Sequence, residues 1–108
     1  MTPELPPLTQ RTLARLIQAF APEKVFLYGS YAKGTNHLNS DVDFLVVTRQ
    51  SGNPTAYRKR ARQLSADCFP SVDVVFASPE EIAAPESLRS PFLASILQHG
   101  ILLYARDK

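Results

Sequence analysis

The sequence predicts an α/β fold of the α+β kind, a mixed β-sheet with helices packed against it. Three observations carry that prediction. Apolar, strand-forming runs are short and recur at 25–28, 42–47 and 72–76. Segments between and after them repeat their apolar residues at helical spacing, and Gly, Pro, Ser and Asn mark the boundaries.

Leu13, Leu16, Ile17 and Phe20 form the apolar stripe of an amphipathic helix over 8–20, behind a proline-rich leader. After Pro22, the run Val25-Phe26-Leu27-Tyr28 predicts a buried strand that stops in the turn Gly29-Ser30, with a helix beginning at Tyr31. Val42 to Val47 predicts a second strand, entered through the polar loop Thr35 to Ser40 and left through Ser51-Gly52-Asn53-Pro54. Tyr57, Ala61 and Leu64 predict a helix over 55–66, and Ser71 to Ala77 a third strand. Ser78-Pro79-Glu80-Glu81 has a capping serine, a proline at the first helical position and a glutamate three after the cap, so a short helix starts there. A last helix from Pro91 to Gln98 ends at Gly100, and Ile101 to Tyr104 predicts a final strand.

With 108 residues, 44% hydrophobic and 20% charged, the expectation is a single domain over 1–108. No run approaches the ~18 apolar residues of a membrane span, the first ten residues lack the pattern of a secretory signal, and Cys68 has no internal disulfide partner; a cytoplasmic protein is expected. Twelve basic and ten acidic residues give a net charge of +2, too balanced to predict direct nucleic-acid binding. Arg49, Arg58, Lys59, Arg60 and Arg62 lie in a segment without acids. The segment reads as a solvated helix face, with an anion- or partner-binding surface as the alternative.

Carboxylates are expensive on buried strands unless something positive sits beside them. Asp41 and Asp43 nevertheless open one strand, two residues apart and hence on one face, and Asp73 lies in the next apolar strand. If those strands are neighbours, three hard oxygen ligands converge and suit Mg²⁺ or Mn²⁺. The turn ahead of them adds an anion site: Gly29 permits close backbone approach and Ser30 offers a hydroxyl donor. Ser40 reads as a local cap of the loop before Asp41. His37 reads as a loop bystander, His99 as a helix-end residue suited to the dipole, and Tyr28 and Tyr104 as strand core.

The ordered set Gly29-Ser30-Tyr31-Ala32-Lys33-Gly34, Ser40-Asp41-Val42-Asp43 and a later strand with Asp73 resembles the minimal nucleotidyltransferases of the DNA polymerase beta superfamily, from about Lys24 to Phe76, with the ending Ile96 to Tyr104 also similar. The resemblance implies the nucleotidyltransferase fold and a catalytic, metal-binding role for Asp41, Asp43 and Asp73, the first two holding two ions and the third one ion near the acceptor. It implies Gly29 and Ser30 on the β and γ phosphates, with Lys33 either assisting or facing solvent; Lys33 stands where arginine is common. It further implies Mg²⁺-dependent transfer of a nucleoside monophosphate, AMP from ATP, onto a protein hydroxyl. Relatives of this kind include antitoxins of HEPN/MNT toxin–antitoxin systems, so the implied partner is a helical HEPN-type ribonuclease toxin. Two alternatives are a catalytically silent antitoxin that masks its partner and a small-molecule, aminoglycoside-type nucleotidyltransferase.

Overall fold

The computed structural model describes residues 5–37, 40–49 and 54–106. Part of the proline-rich leader, part of the Thr35–Ser40 loop and the Ser51-Gly52-Asn53 turn therefore lie outside the described residues. Helix α1 spans Pro7–Phe20, strand β1 Lys24–Tyr28, the single-turn helix α2 Ser30–Lys33, strand β2 Val42–Val47, helix α3 Pro54–Leu64 and strand β3 Val72–Ala77. Helix α4 follows at Pro79–Ala83, a 3-10 turn at Glu86–Leu88, helix α5 at Pro91–His99 and strand β4 at Ile101–Ala105.

The strands form one mixed sheet in the order β3-β2-β1-β4, with β2 and β3 parallel and β1 antiparallel to both β2 and β4. Period two sorts the strand residues between two helix-covered faces. On one face Val25, Leu27, Val42, Phe44 and Val46 pack under Leu16 of α1 and Ala61 of α3. Phe20, Tyr57 and Phe76 close that face as a cluster of rings, Phe20 and Phe76 meeting edge-on at 5.0 Å. On the other face Leu45, Val47 and Ala77 pack against Leu93 and Ile96 of α5, with Ile82 of α4 at the margin. Because β2 is covered on both sides, its sequence is almost continuously apolar; Asp43 is its one residue that is not buried.

Local chemistry sets the helix boundaries. The N–H of Ala21, in the left-handed conformation, closes α1 on the Ile17 carbonyl. Ser78 starts α4 with the expected capping box: the Glu81 N–H donates to Ser78 Oγ and the Ser78 N–H to Glu81 Oε1, both at 3.1 Å. Ser90 caps α5 through the Leu93 N–H at 3.1 Å.

Candidate active site

The sheet register places Asp43 beside Asp73. Asp43 lies opposite Tyr28 of β1 on one side and opposite Asp73 of β3 on the other. The row Tyr28–Asp43–Asp73 thus crosses three strands on one face, the face that also carries Leu45 and Val47. β2 and β3 are neighbours, as convergence requires. Asp41 stands just ahead of β2 and is exposed, Asp73 is exposed, and Asp43 is half-buried.

These groups feel one another. Burial first, then the charges of Asp73 and Asp41, push the Asp43 carboxyl up to about 6. Burial and then Asp43 and Asp73 push the Tyr28 phenol up to about 12, so its hydroxyl keeps its proton at neutral pH. Tyr28 packs against the core, as its sequence suggests, with its ring edge-on to Phe92 at 5.5 Å, and it also lies opposite Asp43. Tyr104 does pack at the margin of the core, as expected. As the side chains stand, no set of three or more His, Cys, Asp or Glu among the described residues is gathered to hold a metal ion.

The turn after β1 is built against Asp43. Gly29 has φ 76° and ψ −154°, a backbone region essentially confined to glycine. A Cβ at Gly29 would overlap Asp43 Oδ2, so the missing side chain is what lets the carboxylate lie against the turn. The Gly29 carbonyl accepts from the N–H groups of Ala32 and Lys33 at 3.1 and 3.2 Å, and α2 starts at Ser30, one residue before the sequence-based expectation. Gly34, at φ 74°, closes this turn in the left-handed conformation. Ser40 is buried, and its Oγ accepts from the His37 N–H at 2.9 Å while its own N–H returns to the His37 carbonyl at 3.0 Å, the local cap expected of it. Cys68 is a half-buried free thiol.

Two clefts flank the row. A cleft of about 140 Å³ lies between α2 and α5, lined among others by Tyr28, Gly29, Lys33, Phe92 and His99. Lys33 and His99 are exposed, and His99, besides ending α5, belongs to the walls beside the glycine turn. Phe92 has no chemical signature of its own; only the register of β1 against α5 brings it there. A larger cleft, about 350 Å³, lies on the other side between α3 and β3 and includes Arg58, Arg62 and Asp73. The basic face of α3 is exposed to solvent, as its composition suggests, and two of its arginines line the same cleft as an aspartate of the row.

Comparison with known proteins places the fold and the family. A protein adenylyltransferase, MntA of Shewanella oneidensis, is 30% identical over 70 residues, covering 63% of this chain and 50% of that protein. The chain thus spans about half the length of the curated relative it matches. Among solved structures, a toxin–antitoxin with AMP-PNP superposes with a TM-score of 0.63 at 23% identity, covering 91% of this chain and 74% of that one. The toxin–antitoxin MntA-HepT superposes at 0.55 with 19% identity, covering 92% and 72%. At these identities the superpositions establish the fold. The profile of the family described as "Polymerase beta, Nucleotidyltransferase" matches residues 11–108, nearly the whole chain. The chain belongs to the polymerase beta nucleotidyltransferase family.

Proposed function

We propose that this chain, acting as one minimal catalytic domain in the cytoplasm, transfers an adenylyl group from ATP to a hydroxyl of a protein partner, a HEPN-type toxin that it neutralises as an antitoxin. The observation that carries the reading is the registered pair Asp43 and Asp73, with Asp41 beside them and the glycine turn against Asp43 Oδ2. The names of the relatives, a protein adenylyltransferase and toxin–antitoxin complexes, support the substrate and the partner.

The donor set fits a hard divalent cation such as Mg²⁺. Ionising Asp43 is opposed by burial and by two neighbouring carboxylates, and a cation relieves all three. Asp41 and Asp73 are exposed, so turning their carboxylates inward to complete the set disturbs little packing. When bound, the metal supplies charge neutralisation on the triphosphate and lowers the pKa of the attacking hydroxyl. Asp41, Asp43 and Asp73 would hold it. The Gly29 and Ser30 turn would receive the β and γ phosphates, with Lys33 at the rim of the adjoining cleft. The acceptor oxygen bonds to the α-phosphorus, the bond from that phosphorus to the β-bridging oxygen breaks, and pyrophosphate leaves. The hydroxyl proton passes to solvent at the exposed Asp73 edge.

Incubation with a HEPN-type toxin, ATP labelled at the α-phosphorus and Mg²⁺ is expected to place label on a tyrosine, serine or threonine of that protein. Asp41→Asn is expected to prevent it. A second reading, a binding antitoxin without chemistry, draws on the carboxylates not being gathered as they stand. A tight inhibitory complex that never acquires label, under any nucleotide or metal, would establish that reading and remove the first.

A further inference from the structure

We propose that the open edge of β3 captures the protein acceptor as an added strand, reading acidic residues on one side of that strand and delivering a hydroxyl from the other. The inference rests on the adenylyl-transfer reading and names the form in which the acceptor is recognised.

β3 is one of the two edge strands of the sheet, β4 being the other. At its two ends the Val42 N–H donates to the Ser71 carbonyl and the Thr48 N–H to the Ala77 carbonyl, both at 2.9 Å. Odd-numbered residues of β3 therefore turn their main-chain groups towards β2, and Val72, Val74 and Phe76 turn theirs outward. An edge of this kind is a template for another strand unless something covers it. The 350 Å³ cleft runs along this edge, and its other wall is α3.

The charges of the cleft select the occupant. Arg58 and Arg62 are one helical turn apart, both exposed, and among the described residues neither makes a salt bridge. α3 carries no acid. Helix α3 packs on the face that holds Val72, Val74 and Phe76, whereas Asp73 belongs to the opposite face. Side chains of an added strand alternate in step with those of its neighbour. Acids at alternate positions of the captured segment thus face the two arginines, and the residues between them face Asp73. An acid there would be repelled by Asp73; a hydroxyl residue would stand at the reacting edge. The recognised element is an extended segment with a hydroxyl residue flanked directly by acids. A nucleic-acid strand could meet the arginines but has no donors and acceptors in step with a β edge.

Fluorescence anisotropy with a labelled synthetic octapeptide tests this, its centre reading glutamate–tyrosine–glutamate and its remaining acids in the same alternation. A second peptide of equal composition moves the acids onto the tyrosine face, and a third carries N-methyl groups on alternate main-chain nitrogens along the edge-facing side. The first is expected to bind at least tenfold more tightly than either, and the double variant Arg58→Glu/Arg62→Glu to lose that preference while its melting temperature and ATP binding stay put. Equal binding of the three peptides, no detectable binding of the first, unchanged binding by the charge-reversed variant, or preference for a single-stranded oligouridylate would overturn the proposal. Asp41→Asn is expected to bind the peptide normally. Preserved docking without label transfer would count against adenylyl transfer alone, and full labelling of the partner by the charge-reversed variant against the docking edge alone.

Discussion

Asp43 and Phe44 are consecutive residues of β2, yet they face different worlds. The Phe44 side is sealed by α1 and α3, and the aromatic ring is completely buried. The Asp43 side is sealed only where α5 and Ile82 of α4 reach, around Leu45, Val47, Leu93 and Ile96, and beyond that reach stand the carboxylates and the glycine turn. One face is committed to stability. The other gives up packing at one end, where half-buried Asp43 stands beside the exposed Asp73.

The sharpest way to break this division is a pair of neighbouring substitutions. Phe44→Ala is expected to cost about 3 to 5 kcal/mol in urea unfolding, because a fully buried ring is removed. Asp43→Asn is expected to leave the chain folded while labelled transfer falls by roughly a thousandfold or more, as for loss of a principal electrostatic group. An unfolded Asp43→Asn variant would mean that the acidic face carries structure after all.

The glycine turn gives a finer test. Gly29→Val places a branched side chain where Asp43 Oδ2 now lies and in a backbone region that disfavours it, so calorimetry with a non-hydrolysable triphosphate is expected to detect no binding. Ser30→Ala removes one hydroxyl and is expected to weaken binding by about 1.5 kcal/mol, roughly tenfold in Kd. Undiminished binding in Gly29→Val would put the phosphates elsewhere.

The smallest effect is a pH dependence. Folded Asp43 keeps its proton up to about 6, whereas the same carboxyl in the unfolded chain releases it near its ordinary 3.8. The folded state therefore holds more protons between these values, and metal-free stability attributable to this group falls as pH rises through that window. Asp43→Asn is expected to melt higher than the parent in EDTA at pH 7, by the equivalent of about 1 kcal/mol or less given solvent screening of a half-exposed group, and to show no advantage at pH 4. A gain that persists at pH 4 would assign it to something other than charge.

Much of this organisation is legible in the residue order, because strands buried on both faces must be apolar runs and any acid within them stands out. Asp43 and Asp73 are visible for that reason, as is the α4 capping box. Strand order is not visible: the antiparallel pairing of β1 with β2 and the parallel pairing of β2 with β3 are settled by how helices pack, and Asp73 joins Asp43 only through that pairing. Tyr28 reads as strand core and packs as such, but its acidic neighbours are not legible. Its parity with Phe26 places both on one face, but parity cannot say where along the face the core ends. The 3-10 turn at Glu86–Leu88 has no cap or periodicity to announce it, and the α3 arginines acquire a neighbour in Asp73 only through the fold.

The conformation of Gly29 has a consequence for how this motif decays over evolutionary time. Its φ and ψ belong to the turn itself, and any other residue there would carry strain of about 1 to 3 kcal/mol whether or not chemistry takes place. The aspartates have no such hold on the backbone. A descendant that abandoned catalysis and survived by binding alone would be released from its carboxylates first, since losing them relieves repulsion, and would keep the glycine long afterwards. Under the adenylyl-transfer reading, then, the glycine is expected to outlast the aspartates across a lineage, as a mark of inherited architecture and not of chemistry.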